Sequence, residues 1–433
     1  MADRADPLRL EYLEPVDGLR VVRQAPPAGA GSFAATYVGP AGWAYDAPQA
    51  AGTARLVNQL VTSAAGPYDR IELARRLDRA GAILSRRAAP ESSEVTVWGP
   101  ADAWEPLLGI LALVVLRPRF DADDVRRGLR QLAEHQLRER TQPAHRADRE
   151  LLHRIYSPGH PYRETGTGSR RTLRALTRSR LVRFHEEHYT GDGGLLVVTV
   201  PASGSAVRRA ARRLFASFGT ARAPPTPSAP RPRSVGGLAT IDLPGRSQVE
   251  VRVGGPSIAR SDPAFPAAFL ANEVLGGRPL LNRLFQRVRE RGGLAYHASS
   301  DLEAMRWGGY WVAVAGTGAD RWRKVVPLLH GELGRLRASR LEPAELRTVR
   351  DSAIGEIPLS LESTAEAHEL AVDAGYHGLP PEHWRRWPAT LREVRPDAVR
   401  DAARKALGED GSVTVVAGPL TAPAPGGAPG RRR

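Results

Sequence analysis

At 433 residues the chain is too long for one ordinary hydrophobic core and predicts two domains of about 200 residues each. Its 42% hydrophobic content suits globular packing, no apolar run reaches the roughly 18 residues of a membrane span, and the lack of cysteine excludes disulfides, thiolate metal sites and a cysteine nucleophile. The formal charge of +15 does not point to nucleic acid, because the arginines are scattered among Ala, Gly and Pro as a coding bias would scatter them; only Lys324 and Lys405 are lysines. A weakly acidic peptide remains compatible with that charge. The segment MADRADPLRLEYLEP lacks the apolar stretch of a secretory signal, so the expected location is cytoplasmic.

In chain order, Leu8 to Leu13 and Leu19 to Arg23 read as strands joined at Asp17-Gly18, a hairpin signal. Ser32 to Val38 is a third strand, followed by helices over Pro48 to Val61 and Ile71 to Ala80. Strands at Ile83 to Ala88 and Val95 to Trp98 precede helices at Ala103 to Val115 and Ala122 to Arg138. Ser157 to Tyr189 reads as loop and short helices, and Leu195 to Val200 as a buried central strand. Residues 220–237 are rich in proline and without periodicity, so they read as a linker between domains at 1–219 and 238–418. The second half restarts with strands at Leu238 to Leu243 and Val249 to Val253 and a helix over Ala264 to Leu275 that runs into Gly276-Gly277. Strand Tyr310 to Ala315, helices Arg321 to Arg337, Pro343 to Ile357 and Ala365 to Tyr376, and strand Val413 to Ala417 complete it. The tail at 419–433 reads as disordered. The series from Gly81 is repeated from Gly292, at an offset of about 211 positions, as in a duplicated domain. The fold class expected is α+β: two pseudo-symmetric domains, each a mostly antiparallel sheet with helices on one face.

The most informative stretch is LNRLFQRVRERGGLAYHASS, from Leu281 to Ser300. Leu281, Leu284, Phe285 and Val288 have the spacing of an amphipathic helix, Gly292-Gly293 can end it, and a strand follows from Leu294. Arg289 then stands in the last helical turn and Tyr296 at the strand's start. Spacing alone leaves a solvated cation and a half-buried ring as the plain alternative.

VRERGGLAY resembles the V-R-E-x-R-G-L-A-Y segment of the insulinase/pitrilysin zinc metallopeptidases, in the small two-domain branch that includes mitochondrial processing peptidase, with one extra glycine in the turn. YSPGHPYRETGTG and the FDADDVRR segment at Phe120 extend the resemblance over most of the chain. It implies the insulinase-like fold and a role for Arg289 and Tyr296 in binding a peptide as it reaches the zinc of a facing domain. Gly276 and Gly277 lie near that family's glycine-rich substrate loop, although a plain helix-ending turn is an equal reading.

The family's H-x-x-E-H zinc motif falls in GTARLVNQLVTSAAGPY, where Arg55, Asn58 and Gln59 occupy the positions of His, Glu and His. Arginine stays protonated and cannot ligate, asparagine is no base, and glutamine is a poor zinc ligand. Glu134 lies about where the third ligand belongs, but one carboxylate does not hold zinc. The first domain therefore reads as a degenerate copy that binds no metal, with zinc on a partner. FHEEHY carries His185, Glu186, Glu187 and His188 with the wrong spacing for a metallopeptidase. Glu150 and His153, like His368, Glu369, His377 and His383, read as solvated or capping residues.

The resemblance implies a non-catalytic subunit that pairs, as a heterodimer, with an H-x-x-E-H-bearing relative and grips an extended peptide such as a leader or signal peptide. The rival expectation is a peptidase homologue serving only binding or assembly. A nucleic-acid or membrane partner is not expected.

Overall fold

The computed structural model describes residues 6–218, 222–226, 234, 236–280, 282–408 and 412–420. Most of the expected linker, the tail beyond Leu420, and Leu281 thus lie outside the described residues. The chain forms two compact units, and neither is a contiguous half as a division at 1–219 and 238–418 would have it. The first unit comprises residues 1–137, 164–229 and 351–393; the second comprises 138–163, 230–350 and 394–433.

In the first unit, strands β1 (Glu11–Val16), β2 (Leu19–Gln24), β3 (Ser32–Gly39), β4 (Ile83–Ala88), β5 (Ser93–Pro100) and β6 (Leu195–Thr199) form a sheet in the order β1-β2-β6-β3-β5-β4. Asp17 and Gly18, at φ 49° and 82°, make the expected tight turn between β1 and β2. β6 runs parallel to β2 and antiparallel to β3 and is buried along its whole length, which is why it is apolar throughout. In the second unit, β7 (Gly237–Asp242), β8 (Val249–Ser257), β9 (Ala295–Met305), β10 (Gly308–Thr317) and β11 (Val413–Gly418) take the order β7-β11-β8-β10-β9. The β7/β11 pair is parallel and the rest antiparallel, so this sheet repeats the sequence of directions from β2 to β4. The duplication read from the sequence is real at the level of topology.

The expectation of helices on one face is corrected: each sheet is covered on both. In the first unit Leu196 and Val198 of β6 face a core built with Leu56, Val57, Leu108, Leu111 and Phe215. Leu195 and Val197 face the other way, onto Ala371, Val372 and Ala374 of the helix Thr364–His377. In the second unit the helix Pro143–Ile155 covers one face through Ala147, Leu151 and Ile155, against Val413, Val415 and Ala417. The opposite face packs on Phe265–Asn272, Trp322–Ala338 and Pro396–Ala406. Each unit therefore draws a covering helix from the other half of the chain. Helices at Pro143–Ile155, Gly204–Phe215, His383–Glu393 and Pro396–Ala406 were not singled out by hydrophobic spacing. Pro143 and Pro396 stand in first turns, where the missing N–H costs nothing.

Candidate functional site

The corner carrying Arg289 and Tyr296 belongs to the second unit. The helix Phe265–Asn272 continues as a π-helical turn, Glu273–Gly277, and after a short loop a second π-helical turn follows, Phe285–Glu290. Leu284 and Val288 are fully buried, as the amphipathic spacing requires, while Phe285 is half-buried. Asn282 starts this segment: its side-chain oxygen accepts the Phe285 N–H at 2.6 Å, and its amide donates to the Arg278 carbonyl. The wider turn shows in the Arg291 N–H, which donates to the Gln286 carbonyl at 3.0 Å. Gly293, at φ +57°, ends the helix as expected, its N–H donating to the Arg289 carbonyl at 3.0 Å. The Arg321 guanidinium donates to the Gly293 carbonyl at 3.1 Å and the Thr317 hydroxyl to that of Leu294, fixing the turn.

β9 begins one residue later than the sequence suggested, and with an irregularity. His297 pairs with Gly316 and Ala295 with Thr317, which leaves Tyr296 as the extra residue of a β-bulge. A bulge re-aims a side chain out of strand alternation, and Tyr296 is 60% exposed. Arg289 is also exposed, with its guanidinium over the Phe285 ring at 5.0 Å. Both side chains are thus presented to solvent from rigidly tied backbone. Next to them, His297 Nε2 lies 3.6 Å from Glu250, whose carboxylate also takes Arg252 at 2.8 Å. Burial pushes the Glu250 carboxyl up, but His297 and Arg252 outweigh it and hold the group below its ordinary value.

Gly276 and Gly277 have a packing explanation. A Cβ on Gly276 would stand 2.2 Å from the Ser300 backbone nitrogen, so only glycine lets this turn seat on β9. A Cβ on Gly277 would stand 2.4 Å from a Glu273 carboxylate oxygen, and that carboxylate pairs with buried Arg278 at 2.7 Å. Ser300 donates to the Asn272 side-chain oxygen at 2.7 Å, joining the preceding helix to the same strand.

The degenerate metal positions lie on the helix Thr53–Val61 in the first unit. Arg55 donates to the Thr165 carbonyl at 3.0 Å and lies over the Trp43 ring at 4.8 Å. Asn58 is buried and donates to the Glu94 carbonyl at 3.1 Å. Gln59 donates to Gln131, which stands one turn before the exposed Glu134 on its helix. A guanidinium and two amides so engaged do not fit a zinc ion. Gln131 and Asp46 carry roles that the motif comparison did not single out. Asp46 accepts the N–H groups of Gly52 and Ala54 at 2.7 and 2.9 Å and so anchors the helix start.

The other histidines and carboxylates singled out in the sequence are placed as follows. His185 is buried with Nε2 at 2.7 Å from the Val115 carbonyl, and burial lowers it to about 4. His188 contacts the Pro40 carbonyl at 3.2 Å, while Glu186 and Glu187 are exposed. Glu150 accepts from Arg154 at 2.7 Å, and His153 shares its helix, Pro143–Ile155. His368 is fully buried between the Thr36 and Thr199 hydroxyls, each at 2.7 Å. Glu369 is raised by burial, His377 lies 3.7 Å from Asp373, and His383 packs on Trp384 and Trp387. Among the described residues no group of three or more His, Asp or Glu is arranged to hold a metal.

Residues 175–352 match the family model described as the peptidase M16 inactive domain. An uncharacterized zinc protease of Streptomyces coelicolor is 29% identical over 266 residues, 58% of this chain and 55% of that protein. One from Mycobacterium leprae is 26% identical over 350 residues, 80% of this chain and 78% of that protein. In structure, a peptidase M16 inactive domain from Pseudomonas fluorescens superposes with a TM-score of 0.89 at 24% identity, covering 95% of this chain and 98% of that one. A protease from Helicobacter pylori gives a TM-score of 0.85 at 17% identity, covering 94% and 99%. The Arg289/Tyr296 corner lies inside the segment that matches the peptidase M16 inactive domain, and the two-unit α+β fold of the chain is the one that these solved structures share.

Proposed function

We propose that the chain is the non-catalytic, substrate-binding subunit of a heteromeric zinc metalloendopeptidase, acting in the cytoplasm on extended peptides such as leader or signal sequences. The partner is a related subunit bearing H-x-x-E-H, whose metal would supply the activated water. The observation that carries this reading is Tyr296, an exposed ring on a bulge beside the π-helical turn of Arg289. π-Helical turns and bulges both recur where a side chain is aimed at a ligand.

The residues' tasks follow from their chemistry. The Tyr296 hydroxyl donates a hydrogen bond to the peptide carbonyl that becomes the tetrahedral oxyanion, and Arg289 holds the peptide backbone. A preorganised donor of this kind is worth about 100- to 1,000-fold in rate.

The test is steady-state kinetics of the mixed complex. Tyr296→Phe removes a hydroxyl from an exposed ring, so folding and pairing survive, and kcat falls by about 100-fold or more with KM nearly unchanged. Arg289→Ala raises KM, because its contact already exists in the ground state. An intact Tyr296→Phe complex with the parent kcat would overturn the reading in favour of a binding or assembly role.

A further inference from the structure

Three non-glycine residues among those described adopt positive φ: Asp17, Phe120 and Leu280. Asp17 belongs to a hairpin turn, where aspartate tolerates that conformation. Phe120 is buried in the first unit's core, 3% exposed, and its carbonyl accepts the Arg178 guanidinium at 3.0 Å. Leu280 has neither excuse. It stands at φ +66° and is 60% exposed, so an apolar side chain is held in water on a backbone that disfavours leucine.

The surrounding loop is built to keep it there. The Gln286 side chain donates to the Leu280 carbonyl at 2.8 Å. Arg278, two residues before, is buried in its ion pair with Glu273, and its carbonyl takes the Asn282 amide. Gln286 lies in the same π-helical turn as Arg289, and that turn and the preceding one, Glu273–Gly277, both pack on β9, the strand carrying Tyr296. Leu280, Arg289 and Tyr296 are therefore three exposed side chains on one tied framework in the second unit.

Strain and exposure retained together are what a contact residue shows when its partner is absent from the free protein. Resting on the substrate-binding reading above, we propose that Leu280 is a specificity-determining contact that receives an apolar side chain of the bound peptide. Arg289 and Tyr296 address the peptide backbone, which every sequence shares, so discrimination needs a third group. An exposed leucine on a pinned loop supplies it by burying apolar area that a polar side chain cannot match.

The decisive variant is Leu280→Gly, because glycine adopts φ +66° without strain. If Leu280 were present for stability, its removal would lower Tm. We expect instead that Tm is unchanged or raised by about 2–4 °C. The binding probe is a pair of fluorescein-labelled decapeptides identical except for a central Leu or Ser, titrated by anisotropy against the whole purified chain. The parent should prefer the Leu peptide by roughly 10-fold, and Leu280→Gly should lose the preference while retaining the weaker affinity. A preference that survives Leu280→Gly, or a lowered Tm, overturns the inference and leaves the substrate-binding reading standing. Parent protein that binds neither peptide overturns both.

Discussion

Fully buried His368 and half-buried Asp46, both in the first unit, pull its stability in opposite directions as pH changes. Burial holds His368 at about 3, far below the ordinary 6.5, so between those values the unfolded chain takes up the extra proton and stability rises with pH. Burial raises Asp46 from 3.8 to about 7, although the N–H groups of Ala54 and Gly52 pull it down. Across that window the folded chain holds the extra proton, and stability falls as pH rises through the folded value. From about pH 5 to about pH 7.5 each group is worth roughly 2 kcal/mol, with opposite sign. We therefore expect His368→Gln to tilt the stability–pH line downward relative to the parent, and Asp46→Asn to tilt it upward. Urea denaturation at both pH values measures the two slopes; lines parallel to the parent's would show that neither group is desolvated as described. Asp46 was not singled out in the sequence, and His368, expected to be solvated or capping, is instead fully buried, because its partners come from β3 and β6, more than a hundred and fifty positions away.

At the scale of elements, the corner from Glu273 to Ser300 shows how local pattern and pairing divide the work. Leu284 and Val288 were legible as one helix face from their spacing, and Gly293 as its end. The π-helical turns were not, since nothing in a hydrophobic period distinguishes a turn of 3.6 residues from a wider one. The bulge at Tyr296 exists only in the register of β9 against β10 and has no local signal. Gly276 gives the clearest test of close packing at this corner. Its missing Cβ faces backbone, which cannot move aside as a side-chain end can, so Gly276→Ala should destabilise the second unit by about 1–3 kcal/mol. Thermal unfolding checks it, and an unchanged Tm would mean that the turn is free to lift from β9.

For the whole molecule the decisive feature is that neither unit is made from one half of the chain. The face of the first sheet formed by Val22, Val38, Leu195 and Val197 is covered by residues 371–374, and that of the second sheet by residues 147–155. Each of these apolar side chains is worth roughly 1.5–3 kcal/mol on full burial, so a half without its borrowed helix exposes a large apolar face. We expect a chain cut at a protease site engineered near residue 228 to remain one species on native size exclusion and to keep its helical content. The isolated fragment 1–218 should aggregate or bind a hydrophobic dye. Clean separation of two soluble, folded fragments would refute this account.

The sequence alone determined the number of units, the α+β class, the order of most strands and the repetition of one motif, because each rests on local periodicity and turn chemistry that short windows contain. It also determined that Arg55, Asn58 and Gln59 cannot act as a His/Glu/His set, since ligand chemistry belongs to residue type. Tertiary structure decided what depends on partners distant in the chain. Those are the exchange of helices 143–155 and 364–377 between halves, the pairing of Gln59 with Gln131 rather than Glu134, and the bulge that exposes Tyr296. Leu280 belongs to the second group as well. A leucine in a loop looks ordinary until the backbone shows the left-handed conformation that its neighbours impose.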